Sequence, residues 1–229
     1  LYMLTQLGIP AFPLAEKACE NLLRDGRLRD GRFAPERGGP MTWLCYTGMA
    51  LQILWHFGFG EEPRTQTAGQ LLVEAINHRP EISDTKSVGS ATPAELVKIL
   101  HGLLSIPLSR RTPEDKAAVE VLTQRLLTHG FNFAGRDAGW LQLHFPRYYE
   151  TDLLETCHAL VHSAQHQHPR FREFLRRVVQ MQTDEGRWRK IRAAPGTFQV
   201  ERMGRPSRWL TFEAVHILIM VYGGNVYAP

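Results

Sequence analysis

The chain has 229 residues, of which 43% are apolar and 22% charged, and it carries a formal net charge of +4. That balance excludes a disordered, collagen-like or low-complexity chain, because a chain of this length and apolar content can bury a sizeable core. No uncharged apolar run approaches the ~18 residues of a membrane-spanning helix: the best stretch, Trp209 to Tyr222, is interrupted by Glu213 and His216.

The first residues, LYMLTQLG, read as part of a helix, so further chain is expected before Leu1. Four prolines then mark a repeat: Pro13, Pro63, Pro113 and Pro169 lie 50, 50 and 56 residues apart. Proline suits the first turn of a helix, where its missing N–H would be unpaired in any case. The segments Pro13 to Leu23, Pro63 to Ile76, Pro113 to Leu127 and Pro169 to Met181 are polar on one side and apolar on the other. Each is answered by a more apolar helix: Trp43 to Phe57, Pro93 to Ile106, Tyr149 to Ala164 and Trp209 to Tyr222. Apolar residues such as Leu44, Met49, Leu51, Ile53 and Leu54, or Leu153, Leu154, Ala159, Leu160 and Val161, wrap most of the circumference of these second helices. They are therefore inner helices, and the proline-led ones, with faces such as Glu114, Asp115, Lys116, Glu120 and Arg125, are outer. Such pairs cannot bury their apolar stripes alone and must stack on one another.

The loops between outer and inner helices carry their own signature. DGRLRDGRF (25–33), FAGRDAGW (133–140) and QTDEGRW (182–188) each join a turn glycine to an acidic residue and a following aromatic. The glycine ends the helix, and the aromatic folds back on it as a plug. Longer loops, Gly38 to Met41, Pro80 to Ala91 and Ala193 to Pro206, fall at the same point of their units and are expected to crowd one end of the inner helices.

Most other chemistries are excluded. Cys19, Cys45 and Cys157 are odd in number, far apart and without a CxxC pair, which points away from a disulfide framework or zinc knuckle and towards a cytoplasmic home. His158 and His162, or Glu213 and His216, sit at helical spacing, but two ligands fall short of the three or four a metal needs; no metal or cofactor is expected. There is no G-x-S-x-G elbow and no phosphate loop. The arginines at 170, 172, 176 and 177 read as the solvated face of an outer helix, with no nucleic-acid reading motif beside them.

With glutamine, aspartate, glycine and tryptophan recurring after the outer helices, above all in QTDEGRW (182–188), the chain resembles the terpenoid cyclase and protein prenyltransferase superfamily, as a degenerate member. The resemblance implies an all-α fold, an incomplete α/α toroid of about nine helices with an outer and an inner ring, built as one domain over 1–229 and lacking one or two amino-terminal pairs. It also implies an apolar cavity that holds isoprenoid chains. Cyclases of the superfamily open one inner helix with Asp-x-Asp-Asp-Thr, whose middle acid protonates an alkene. Glu150 and Asp152 match the first two acids and Leu153 replaces the third, so the resemblance makes Asp152 the acid and Glu150 its neighbour. A second role fits the same residues equally: acids at a helix amino end, facing the macrodipole. Prenyltransferases hold zinc through an aspartate and a cysteine two apart; here Thr211 and Glu213 stand in those places, and the zinc site is lost.

The inner helices begin with aromatic and polar residues: Trp43, Cys45 and Tyr46; Tyr148, Tyr149 and Asp152; Trp209, Thr211 and Glu213. Aromatic faces wrap apolar chains and stabilise cations, so this set is the expected ligand-binding wall; solid packing of the interior would use the same residues. Two functions follow. One is a toroid that binds an isoprenoid or other lipid, with or without cyclase- or prenyltransferase-like catalysis. The other is a scaffold that docks a protein partner, or a second copy, at the open edge of the ring.

Overall fold

The structure, a computed structural model, describes residues 1–26, 28–33, 43–78, 91–148, 150–165, 167–192 and 200–223. Among the described residues the chain is all-α, with nine α-helices and one two-stranded ribbon. The proline rule holds at all four proline-led helices. Pro13 opens α2 (Pro13–Asp25), Pro63 opens α4 (Pro63–His78), Pro113 opens α6 (Pro113–Thr128) and Pro169 opens α8 (Pro169–Gln180), after a short α1 (Tyr2–Gln6). The more apolar helices, expected to be inner, are α3 (Trp43–His56), α5 (Pro93–Leu104), α7 (Leu153–His162) and α9 (Arg208–Tyr222).

The helices fall into two compact units, residues 1–126 and 127–229. In the first, α3 is the centre. It is buried along nearly its whole length and packs on α1, α2, α4 and α5. Its closest partner is α5, and glycine sets the approach. A Cβ at Gly102 would lie 2.3 Å from the carbonyl oxygen of Gly48, and one at Gly48 would lie 2.7 Å from the Cα of Ile99. The two backbones touch there without side chains between them, a use of glycine that outweighs its poor helix propensity. The α5 amino end is closed by a reciprocal cap: Thr92 accepts from the Glu95 N–H, and the Glu95 carboxylate accepts from the Thr92 N–H at 2.9 Å.

In the second unit α7 packs on α8 and α9. The predicted plug forms in QTDEGRW: Gly186 takes a positive φ, and Trp188 is fully buried with its indole N–H donating to the Val178 carbonyl at 2.6 Å. Trp188 and Arg189 form β1, which pairs antiparallel with β2 (Pro206–Ser207) and so leads directly into α9. Two of the arginines expected in solvent lie over rings instead, Arg177 on Phe133 and Arg170 on Phe174.

Two expectations need correction. The third inner helix starts at Leu153 and not at Tyr149, because the Asp152 side chain caps it in extended backbone. The fourth, α9, is not enclosed on nearly every side: Phe212, Val215, Ile219 and Tyr222 are all exposed along one stripe. Of the long loops, 38–41, 80–90 and 193–199 lie outside the described residues.

Candidate functional site

Three charged residues expected or found near the inner-helix ends of the second unit meet in one buried cluster. Asp152 is fully buried, and its two oxygens are taken by N–H donors. Oδ1 accepts from the Glu155 N–H at 2.9 Å, the N-cap bond of α7. Oδ2 accepts from the His144 N–H at 3.0 Å and from the Arg147 Nε–H at 3.1 Å. The Arg147 guanidinium then reaches across to α9 and grips both oxygens of Glu213, at 3.1 and 2.9 Å. One buried cation therefore ties the cap of α7 to the first turns of α9, a bidentate arrangement that a lysine could not reproduce.

The electrostatics follow from burial. Arg147 faces Asp152, Glu213 and Glu155; burial works against its charge, but those three carboxylates outweigh it and hold the guanidinium well above its ordinary value. Burial pushes the Glu213 carboxyl up, against the opposing pull of Arg147 and with the help of Asp152 and Glu155. Burial, followed by the same two acids Asp152 and Glu213, also pushes the Cys157 thiol up, so it remains an inert thiol. Arg147 is the member that sequence reading misses, since its partner Glu213 lies 66 residues on. A usable signal existed: two acids assigned to apolar inner helices call for a buried cation, and Arg147 stands five residues before Asp152.

Chemically, the cluster is a clamp with its valences filled. For Asp152 to deliver a proton to an alkene, an oxygen would have to leave an N–H donor and turn towards substrate. Glu150 does not join it. It pairs with Arg192, at 2.5 Å, from the loop that leaves β1, whose neighbouring N–H groups at 191 and 192 both donate to the Leu143 carbonyl.

The remaining expected site residues divide between the two units. Trp43, half-buried under the Arg32 guanidinium at 5.1 Å, Cys45, wholly inside the core, and Tyr46 belong to the first unit. In the second, Trp209 stacks on Phe145 at 5.1 Å between ring centres, and Tyr148 is exposed. The Thr211 hydroxyl donates to the Ser207 carbonyl at 2.6 Å and accepts from the Trp188 N–H, stitching the ribbon to α9. Tyr149 lies outside the described residues. His158 and His162 do touch, with rings 4.7 Å apart, and His216 of α9 closes a triangle with them. Among the described residues, no group of three histidines, cysteines or acids is arranged to hold a metal ion.

The amino end of α9 also carries an open surface. A groove of about 430 Å³ at the amino end of α9 is lined by Thr211, Phe212 and Val215, with Arg187 and Arg208 at its margin. Beyond it on the same helix, Ile219, 60% exposed, and Tyr222 are also open. In α9 only Leu210, Ala214 and Ile217 are buried, and four large apolar side chains left open in a row on one helix are uncommon on a surface that binds nothing. Set against models of known protein families, curated proteins and solved structures, the chain matches none.

Proposed function

We propose that this chain is a terpenoid cyclase/prenyltransferase-like protein whose helix pairs curl into an incomplete α/α toroid, and that it binds an isoprenoid or another apolar ligand without acid-initiated chemistry. The observation that carries the reading is the exposed stripe Phe212, Val215, Ile219 and Tyr222 on an inner-type helix. In concentric rings, the inner helices turn one face to a hollow, and that face must be apolar if the hollow is to hold a hydrocarbon chain. Burial of such a face against a ligand is favourable at about 25 cal/mol per Å². The polar environment of Asp152 supports the absence of catalysis: its oxygens already serve as cap and ion-pair partner.

The test is mass spectrometry of lipids extracted from purified protein, for the wild type and for Phe212→Asp/Ile219→Asp. A polyprenyl or other hydrocarbon species retained by the first and lost from the second supports the proposal; lipid-free wild-type protein would overturn it. The spacing of the stripe, 3, 4 and 3 residues, also fits a packed helix, which keeps a partner-docking scaffold as the second reading. A partner helix would leave the wild type free of lipid and protect α9 amides from exchange only in the complex.

A further inference from the structure

The first unit holds a second cleft, unrelated to any residue discussed above as a site. Its volume is about 480 Å³, and it runs along α4 between α3 and the segment joining α5 to α6. The floor is apolar: Leu51, Val73 and Ile106 are buried, and Trp55 stands over it. Glycine makes both features possible. A Cβ at Gly60 would lie 2.1 Å from the Trp55 ring, so the indole rests directly on the Gly60 backbone. Gly69 leaves the middle of the wall open, since a Cβ there would meet only Leu51 at an ordinary 3.8 Å.

The ends of the cleft are acidic. Glu61 stands at one end, beside Thr65. Glu74, Glu114 and Asp115 stand at the other, nine residues of α4 further on, or about 13 Å at 1.5 Å per residue. Two of these acids are engaged: Asp115 accepts from the Thr112 N–H at 2.8 Å, and Glu61 pairs with Arg110 at 3.3 Å where both are exposed. Glu74 and Glu114 have no basic partner among the described residues. The Asn77 amide donates to the Glu114 carbonyl at 2.9 Å, which holds the α4 and α6 walls at that end together. Four carboxylates against one arginine are opposite in sign to a chain whose net charge is +4.

An independent sign of a missing partner sits in the wall. Thr65 is fully buried, and its hydroxyl makes no hydrogen bond among the described residues. A buried hydroxyl without a partner is costly enough that native proteins rarely leave one. Its oxygen could accept from an ammonium N–H.

We propose that this cleft binds a linear aliphatic polyamine, extended along α4. The methylene segments lie on Leu51, Val73, Ile106 and the Trp55 ring, one terminal ammonium meets Glu61 and the Thr65 hydroxyl, the other terminal ammonium meets Glu74 and Glu114, and an internal ammonium, where the polyamine has one, turns to the open side of the cleft and stays in water. Length selects for a long polyamine, because a short diamine reaches only one acidic end. Charge selects against a neutral chain of the same length.

Isothermal titration of the full-length protein with spermidine tests this, with putrescine and 1,8-octanediol as the short and the neutral comparison. The expected result is one saturable site per chain that prefers spermidine to either comparison by tenfold or more. Glu74→Gln/Glu114→Gln should weaken spermidine tenfold or more. Gly69→Met should abolish binding by filling the cleft, with Gly69→Ala as the mild version if the larger residue disturbs the fold. Absence of a saturable site, equal affinity for 1,8-octanediol, or spermidine binding unchanged in both the acid double variant and Gly69→Met would each overturn the proposal.

Discussion

The α3–α5 and α7–α9 pairs solve one problem, the joining of two apolar helices, in opposite ways. The first pair removes side chains: Gly48 and Gly102 let the backbones meet, and no large apolar side chain of either helix is exposed. The second pair inserts charge: Arg147 spans from Asp152 to Glu213 and fixes the helices at their amino ends. A clamp at one end does not require the rest of α9 to be covered, and its stripe from Phe212 to Tyr222 is open. Dry glycine contact uses up a helix surface, whereas a terminal ion pair leaves it available.

The comparison breaks most visibly if the cation is removed. Arg147→Met leaves Asp152, Glu213 and Glu155 buried without their common partner, and loss of one side of a buried pair costs about 3–5 kcal/mol. Thermal unfolding should show the second unit melting first and well below the wild type. If α7 and α9 stay together unchanged in Arg147→Met, the clamp is not what joins them. The next effect belongs to the glycine pair. Gly102→Ala places a methyl group within 2.6 Å of the Gly48 Cα and oxygen, which are backbone atoms and cannot step aside singly. Overpacking of this kind costs about 1–3 kcal/mol, read as a lower melting temperature with the α7–α9 unit unaffected.

The same contrast explains what could be read from the sequence. Outer-helix starts were legible at Pro13, Pro63, Pro113 and Pro169 because proline acts on its own backbone. The Trp188 plug was legible because glycine, turn and aromatic lie within seven residues. The start of α7 was misplaced by four residues, since an acid that caps a helix and an acid inside one look alike until its donors are known. Arg147 was missed and Gly48 and Gly102 went unremarked for a shared reason: each is explained only by a partner far along the chain. The openness of α9 was hidden because its composition matches that of a buried helix, and composition does not say which face is covered.

A smaller effect sharpens the account of the clamp. Burial raises the Glu213 carboxyl above its ordinary value of 4.5, so the folded chain holds that proton more tightly than the unfolded one. By linkage, the stability it contributes is fully present below 4.5 and is lost as the pH rises through the raised value. Glu213→Gln removes this titration while keeping a group that can still accept from Arg147. Denaturant midpoints measured against pH should therefore converge below the window and separate above it, with the variant losing less. Parallel curves would mean that Glu213 titrates as it does in the unfolded chain.

The smallest effect on stability is the one that bears most on function. Phe212 and Ile219 are 69% and 60% exposed, so replacing both with serine removes little folded-state burial and should change stability by no more than about 0.5 kcal/mol. If the stripe is the wall of a ligand site, the same double variant should lose retained lipid almost completely, because each apolar side chain contributes to binding in proportion to the area it covers. A large loss of stability in Phe212→Ser/Ile219→Ser would instead mean that these side chains are packed within the chain itself, and the contrast between a closed and an open helix pair would disappear. Unchanged stability together with unchanged lipid content would move the ligand elsewhere and leave α9 open for a reason other than binding hydrocarbon.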